Sequence, residues 1–144
     1  MDALDALSTE RPVLSTRLWR SSRATDAAAP DTLDRARKLV AQLPVLVRGG
    51  WAPAVSLTTA DAALRLEAAV WELAYRRDVT VEPGSTATQV ARALAARGAL
   101  APPAAEAVVL VERVLADDGV VDHVELCRVA ARLTAYVELR ARFG

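Results

Sequence analysis

The sequence predicts an all-α fold, a compact bundle of about five helices with a long central helix and a C-terminal helical hairpin. Three observations carry this. Apolar residues recur at the helical period through most of the chain after Pro30, and the alternation of a half-buried strand is nearly absent. Alanine, leucine and arginine, all good helix formers, fill those windows, with hydrophobic residues at 53% and aromatics at only 4%. Cap residues, glycines and prolines then fall where helices need to start and stop. A chain of 144 residues suits one domain that buries a core without disulfides.

Residues 1–30 read as a flexible N-terminal tail and 31–144 as a single helical-bundle domain. The segment SSRATDAAAP offers little to bury, although Leu14, Leu18 and Trp19 form one sticky turn able to dock back on the core. The first helix is expected to open at Asp31 after Pro30. Asp31 serves as its cap and Asp34 adds charge near the positive dipole end. Leu33, Ala36, Val40 and Leu43 share its inner face, and Pro44 ends or kinks it. Gly49-Gly50 then interrupts regular structure, and Trp51 pins an apolar loop to the core.

Thr58 or Thr59 caps the second helix, with Asp61 in its first turn and an end near Arg77. Ala63, Leu66, Val70, Leu73 and Arg77 mark one stripe, and Leu64, Ala68, Trp71 and Tyr75 mark a second. So wide an apolar arc belongs to a central helix, and Trp71 with Tyr75 at i,i+4 are expected in the core. Val79 and Val81 in the following loop are possible inward hooks. Ser85 is expected to cap the third helix, which ends at Gly98 in a left-handed conformation. Pro102-Pro103 suits the first turn of the fourth helix, the first arm of the hairpin. The hairpin folds about Ala116-Asp117-Asp118-Gly119, after which Asp122 and Glu125 make a capping box for the last helix. Leu126, Ala130, Leu133 and Val137 form its inward face. Glu125 with Arg128, and Glu138 with Arg142, are expected as surface ion pairs.

Charge and composition exclude several function classes. Lysine plus arginine equals aspartate plus glutamate at 18 each, so nothing draws the chain electrostatically to a phosphate backbone, and nucleic acid is not an expected partner. Lys38 is the only lysine, a bias that fits a high-GC bacterial genome. Cys127, the only cysteine, reads as a buried thiol. The acidic start MDALDALSTERP lacks the basic and apolar regions of a secretory leader. The weakly charged window from Leu39 to Ala60 is broken by Pro44, Arg48, Gly49-Gly50 and Pro53, which rules out an apolar span of about 20 residues. A cytoplasmic protein without membrane contact is expected.

From Thr58 onward the order is a long helix, a loop, a short helix ending ALAARGAL with prolines soon after, and a helical hairpin. Over about residues 58–143 this resembles the HEPN superfamily, small helical domains of prokaryotic toxin–antitoxin and defence proteins. QVARALAARGALAPPAAE is similar to the family's stretch ahead of its motif helix. LVERVLADDG is similar to the place of its signature arginine, which is followed by a polar residue and, four to six residues on, by histidine and often glycine. On that resemblance Arg113 matches the arginine and Gly119 the glycine, but Val114 stands at the polar position and Asp118 at the histidine. In active members the arginine and histidine meet across a dimer interface and cleave RNA. A carboxylate in place of the imidazole repels phosphate and is a poor acid at neutral pH. The resemblance therefore implies a degenerate, non-cleaving member.

Arg113, Asp118 and His123 are the candidate catalytic residues that remain. His123 lies ten positions beyond Arg113, outside the family's window, and is expected to be exposed at the start of its helix. His123 and Cys127 at i,i+4 can share a metal, but zinc needs further ligands and the chain has no second histidine or cysteine. Asp117-Asp118-Gly119 lacks the alternating oxygens of a calcium loop and reads as a turn. No phosphate-binding glycine loop is present, and no cofactor is expected. A helix-turn-helix DNA binder is rejected because the candidate recognition helix, PPAAEAVVLVERVL, is apolar with a single arginine.

The expected function is a non-catalytic interaction or dimerisation module of a bacterial assembly, partnered by itself or by another protein. The alternative is a metal-independent HEPN-type ribonuclease. Apolar faces on nearly every helix suggest more hydrophobic surface than one small core absorbs.

Overall fold

A computed structural model describes residues 21–44, 54–117 and 122–143, with backbone alone over 21–30. The expectations for Leu14, Leu18, Trp19, Gly49-Gly50-Trp51, Asp118 and Gly119 fall outside the described residues. Five helices are present among those described: α1 (Ser21–Ala41), α2 (Thr59–Arg76), α3 (Ala87–Ala96), α4 (Pro102–Leu115) and α5 (His123–Phe143). No strand occurs among them, and the all-α fold is as expected. The chain divides into two units, Met1–Asp31 and Thr32–Gly144, and α1 contributes a part to each.

α1 begins at Ser21, well ahead of the expected start at Asp31, and carries Pro30 in its interior. Pro30 lacks an amide donor and leaves the Asp26 carbonyl without its helical bond, yet the backbone stays helical on both sides of it. Asp31 is therefore a helical residue rather than a cap. In the larger unit, Ala36, Val40 and Leu43 are buried as expected and Leu33 is half-buried.

The other boundaries follow local chemistry closely. Thr58 caps α2 by accepting a hydrogen bond from the Asp61 amide at 3.0 Å. The cap of α3 is Thr86, one residue beyond the expected Ser85. Thr86 and Gln89 make a reciprocal capping box, and the Ser85 hydroxyl instead donates to the Glu82 carbonyl at 2.7 Å. Prolines occupy the first turn of α4. Asp122 Oδ1 accepts from the Glu125 amide at 2.9 Å at the start of α5. The Glu125 carboxylate does not close that box or pair with Arg128, but turns to Arg37 Nε at 3.8 Å. The expected Glu138–Arg142 pair does not form either.

Packing within Thr32–Gly144 centres on α2 and α5. Asp61, at the start of α2, lies close enough for its charge to act on Cys127 near the start of α5. Arg77, capping the end of α2, donates to the Arg140 carbonyl near the end of α5. The two helices therefore run side by side in the same direction. α3 and α4 form an antiparallel pair: the Thr88 amide, at the start of α3, donates to Glu112 Oε1 near the end of α4 at 2.8 Å. Leu66, Leu73, Leu94, Leu126 and Leu133 are fully buried between these elements. Many of the remaining buried positions are alanines, which let the helix axes approach closely.

Candidate interaction site

α2 faces two ways. Its inner face buries Ala62, Leu66, Ala69, Val70, Leu73 and Ala74. Its outer face carries the second stripe, which the sequence suggests is core and the structure turns to solvent. Leu64 is 64% exposed and Tyr75 82% exposed, with Ala68 exposed and Trp71 half-buried between them. Just ahead of the helix, Leu57 is 97% exposed. Among the described residues six large hydrophobic side chains are exposed, and four of them, Val55, Leu57, Leu64 and Tyr75, lie in this one stretch. Val55 and Leu57 stand just ahead of α2 and Leu64 and Tyr75 on it, so most of this exposed apolar surface belongs to one stretch of the chain.

The sequence also places a row of charges beside this stripe. Asp61, Arg65, Glu72 and Arg76 fall in the helical row beside Leu64, Ala68, Trp71 and Tyr75. These charged residues lie between the outer stripe and the buried face, so they mark an edge of the buried arc without choosing which stripe is buried. In the structure they form two intrahelical pairs, Arg65–Asp61 at 3.1 Å and Arg76–Glu72 at 3.0 Å.

On one flank of the outer face, a groove of about 370 Å³ runs between α2 and α5. Ala62, Ala131 and Ala135 line it, and Arg65 and Arg142 stand at its edge. Thr134 also lines it, and this buried hydroxyl has no hydrogen-bond partner. Ala68 belongs both to the groove and to the apolar row, so the two features are continuous.

The sequence-predicted catalytic candidates lie elsewhere. Arg113 is exposed in the last turn of α4, and His123 is exposed as the first residue of α5. Asp118 is outside the described residues. Cys127 is buried one turn beyond His123, and burial pushes its thiol above the ordinary range, with the charge of Asp61 adding to the shift. Such a thiol is a poor nucleophile and metal ligand at neutral pH. Among the described residues no three His, Cys, Asp or Glu side chains are grouped to hold a metal ion.

Glu112 is a residue that sequence reasoning misses. It reads as one more polar position in ERVL, yet its carboxylate accepts from both the amide and the hydroxyl of Thr88, capping α3 from another helix. No local pattern announces a cap whose donor and acceptor lie 24 residues apart.

Among the described residues, fold and surface define an all-helical bundle whose α2 carries an exposed apolar stripe on its outer face. No protein-family model, curated protein or solved structure matches the chain. Among the described residues no helix is long and apolar enough to cross a membrane.

Proposed function

We propose that the protein is a non-catalytic interaction module, with the outer face of α2 as its contact surface, serving a bacterial cytoplasmic assembly of the defence or toxin–antitoxin kind. The observation that carries this is the gathering of Leu57, Leu64 and Tyr75 on and beside one helix, while most other large apolar side chains are buried. Apolar surface gathered in this way marks an association site, since burying it recovers the free energy lost by hydrating it. The HEPN resemblance agrees with the assignment: Asp118 and Val114 stand where cleavage chemistry needs other residues.

A photo-crosslinking residue at position 64 tests the surface in living cells, with one at the exposed Glu106 as control. One discrete adduct from position 64 and none from 106 is the expected result. Equal or absent labelling at both positions removes α2 as the contact surface.

The ribonuclease alternative draws on one observation, that Arg113 and His123 are both solvent-accessible at the α4–α5 turn. Purified protein assayed on RNA beside Arg113→Ala and His123→Ala decides it. Cleavage lost in both variants establishes the enzyme, and no cleavage by the parent chain excludes it.

A further inference from the structure

We infer that the outer face of α2 is occupied by the α2 of a second copy of this chain, packed antiparallel across a two-fold axis. The inference rests on the assignment of α2 as the contact surface, and it goes further by fixing the partner and the register.

The order of charges along the helix carries it. Beside the apolar row run Asp61, Arg65, Glu72 and Arg76, which read acid, base, acid, base in chain order. A two-fold axis perpendicular to the plane of two antiparallel helices keeps each row on its own side of the contact and reverses its direction. With the axis passing near Ala68, Arg65 of one copy comes opposite Glu72 of the other, and Asp61 comes opposite Arg76. Every charge in the row then meets its opposite. In a parallel two-fold pairing the rows of the two copies lie on opposite sides of the contact, so these four charges meet no opposite charge from the same row.

The apolar row fits the same arrangement. Reversed about Ala68, Leu64 packs against the Trp71 region of the other copy, and Tyr75 comes over Ala60 and its neighbours. Ala68 is an exposed alanine at the crossing, so the backbones can approach closely there. The intrahelical pairs Arg65–Asp61 and Arg76–Glu72 already hold the four side chains along this face. The charges therefore extend from ion pairs within each helix to a network across two.

Size sets the strength. An 18-residue helix is roughly 27 Å long and about 10 Å across. One such face covers much less than the ~800 Å² per partner of a stable complex. A reversible, concentration-dependent dimer is therefore expected, not a permanent one.

Sedimentation velocity on the full chain from about 1 to several hundred micromolar provides the test, with circular dichroism confirming that each variant folds. The parent chain should pass from monomer to dimer, and Leu64→Asp should abolish the dimer. Arg65→Glu alone and Glu72→Arg alone should each weaken association about tenfold or more, because each places like charges opposite one another. Mixed in equal amounts, these two variants should form a heterodimer of near-parent affinity, since both contacts are then oppositely charged. A parent chain that stays monomeric throughout overturns the second copy and leaves α2 open to a different protein. Association lost in Leu64→Asp but indifferent to both charge changes keeps the α2 face and overturns the antiparallel register. Association that survives Leu64→Asp overturns the second copy on α2, and the position-64 crosslink alone then decides whether α2 meets a different protein.

Discussion

The α3–α4 hairpin and α2 are built from similar residues and use them differently. In α4, eight of fourteen residues are buried, and one of its carboxylates, Glu112, reaches across to cap α3. In α2, six of eighteen are buried, and Leu64 and Tyr75 remain in water. Both sequences look apolar over a wide arc. The difference is that α4 buries most of its residues against α2, α3 and α5, whereas α2, packed against α3, α4 and α5, keeps its outer stripe exposed among the described residues. Hydrophobicity of a helix therefore tells how much apolar surface must be covered, and topology tells whether this chain or another one covers it.

The largest effect should separate two leucines of these helices. Leu110→Ala in α4, where the side chain is only 4% exposed, should lower stability by about 2–5 kcal/mol in urea unfolding. Leu64→Ala should change it by less than about 0.5 kcal/mol at concentrations where the chain is monomeric. A large loss at Leu64 under those conditions would mean that α2 has no free face, and the contrast between the helices collapses.

Next comes the cap from α4. Glu112→Ala strands the Thr88 amide and hydroxyl and should cost about 1–2 kcal/mol. Glu112→Gln keeps an acceptor and should recover most of that loss. Equal losses in both variants would assign the effect to the negative charge of Glu112 rather than to a hydrogen-bond acceptor as such.

The smallest effects concern how α2 and α3 end. Both close with the same hydrogen bonding: the Val79 amide donates to the Ala74 carbonyl at 2.9 Å, and the Ala99 amide to the Leu94 carbonyl at 2.8 Å. The left-handed residue is Gly98 after α3, with φ at 73°, but Asp78 after α2, with φ at 55°. Gly98→Ala should cost about 1 kcal/mol from backbone strain alone, because an added Cβ meets nothing within 4 Å. Asp78→Gly should gain no more than ~0.5 kcal/mol, since relief of strain is partly offset by a freer unfolded chain. Thermal unfolding of the two single variants gives the sign of each.

Much of this was legible in the sequence because it is local. Thr58, Gly98, Pro102-Pro103 and Asp122 act on backbone groups within a few residues, so their chemistry shows in the order of residues alone. The buried positions Leu66, Val70, Leu73, Leu126, Ala130, Leu133 and Val137 were legible for a related reason, since helical period puts them on one face whatever that face meets. One local rule misled: Pro30 suggested a helix start, and α1 runs through it instead.

Other features depend on which elements become neighbours. Periodicity cannot say which of two apolar stripes on α2 turns inward. Burying one face against α3, α4 and α5 decided for Leu66 and Leu73 and against Leu64 and Tyr75. In the same way, Glu125 meets Arg37 rather than Arg128, and Glu112 meets Thr88, because packing brings together groups far apart in the chain. The sequence by itself determined the helices, their caps and the amount of apolar surface, all set by interactions within a turn or two. Tertiary structure alone decided where that surface stays uncovered, since burial depends on the arrangement of all the helices at once.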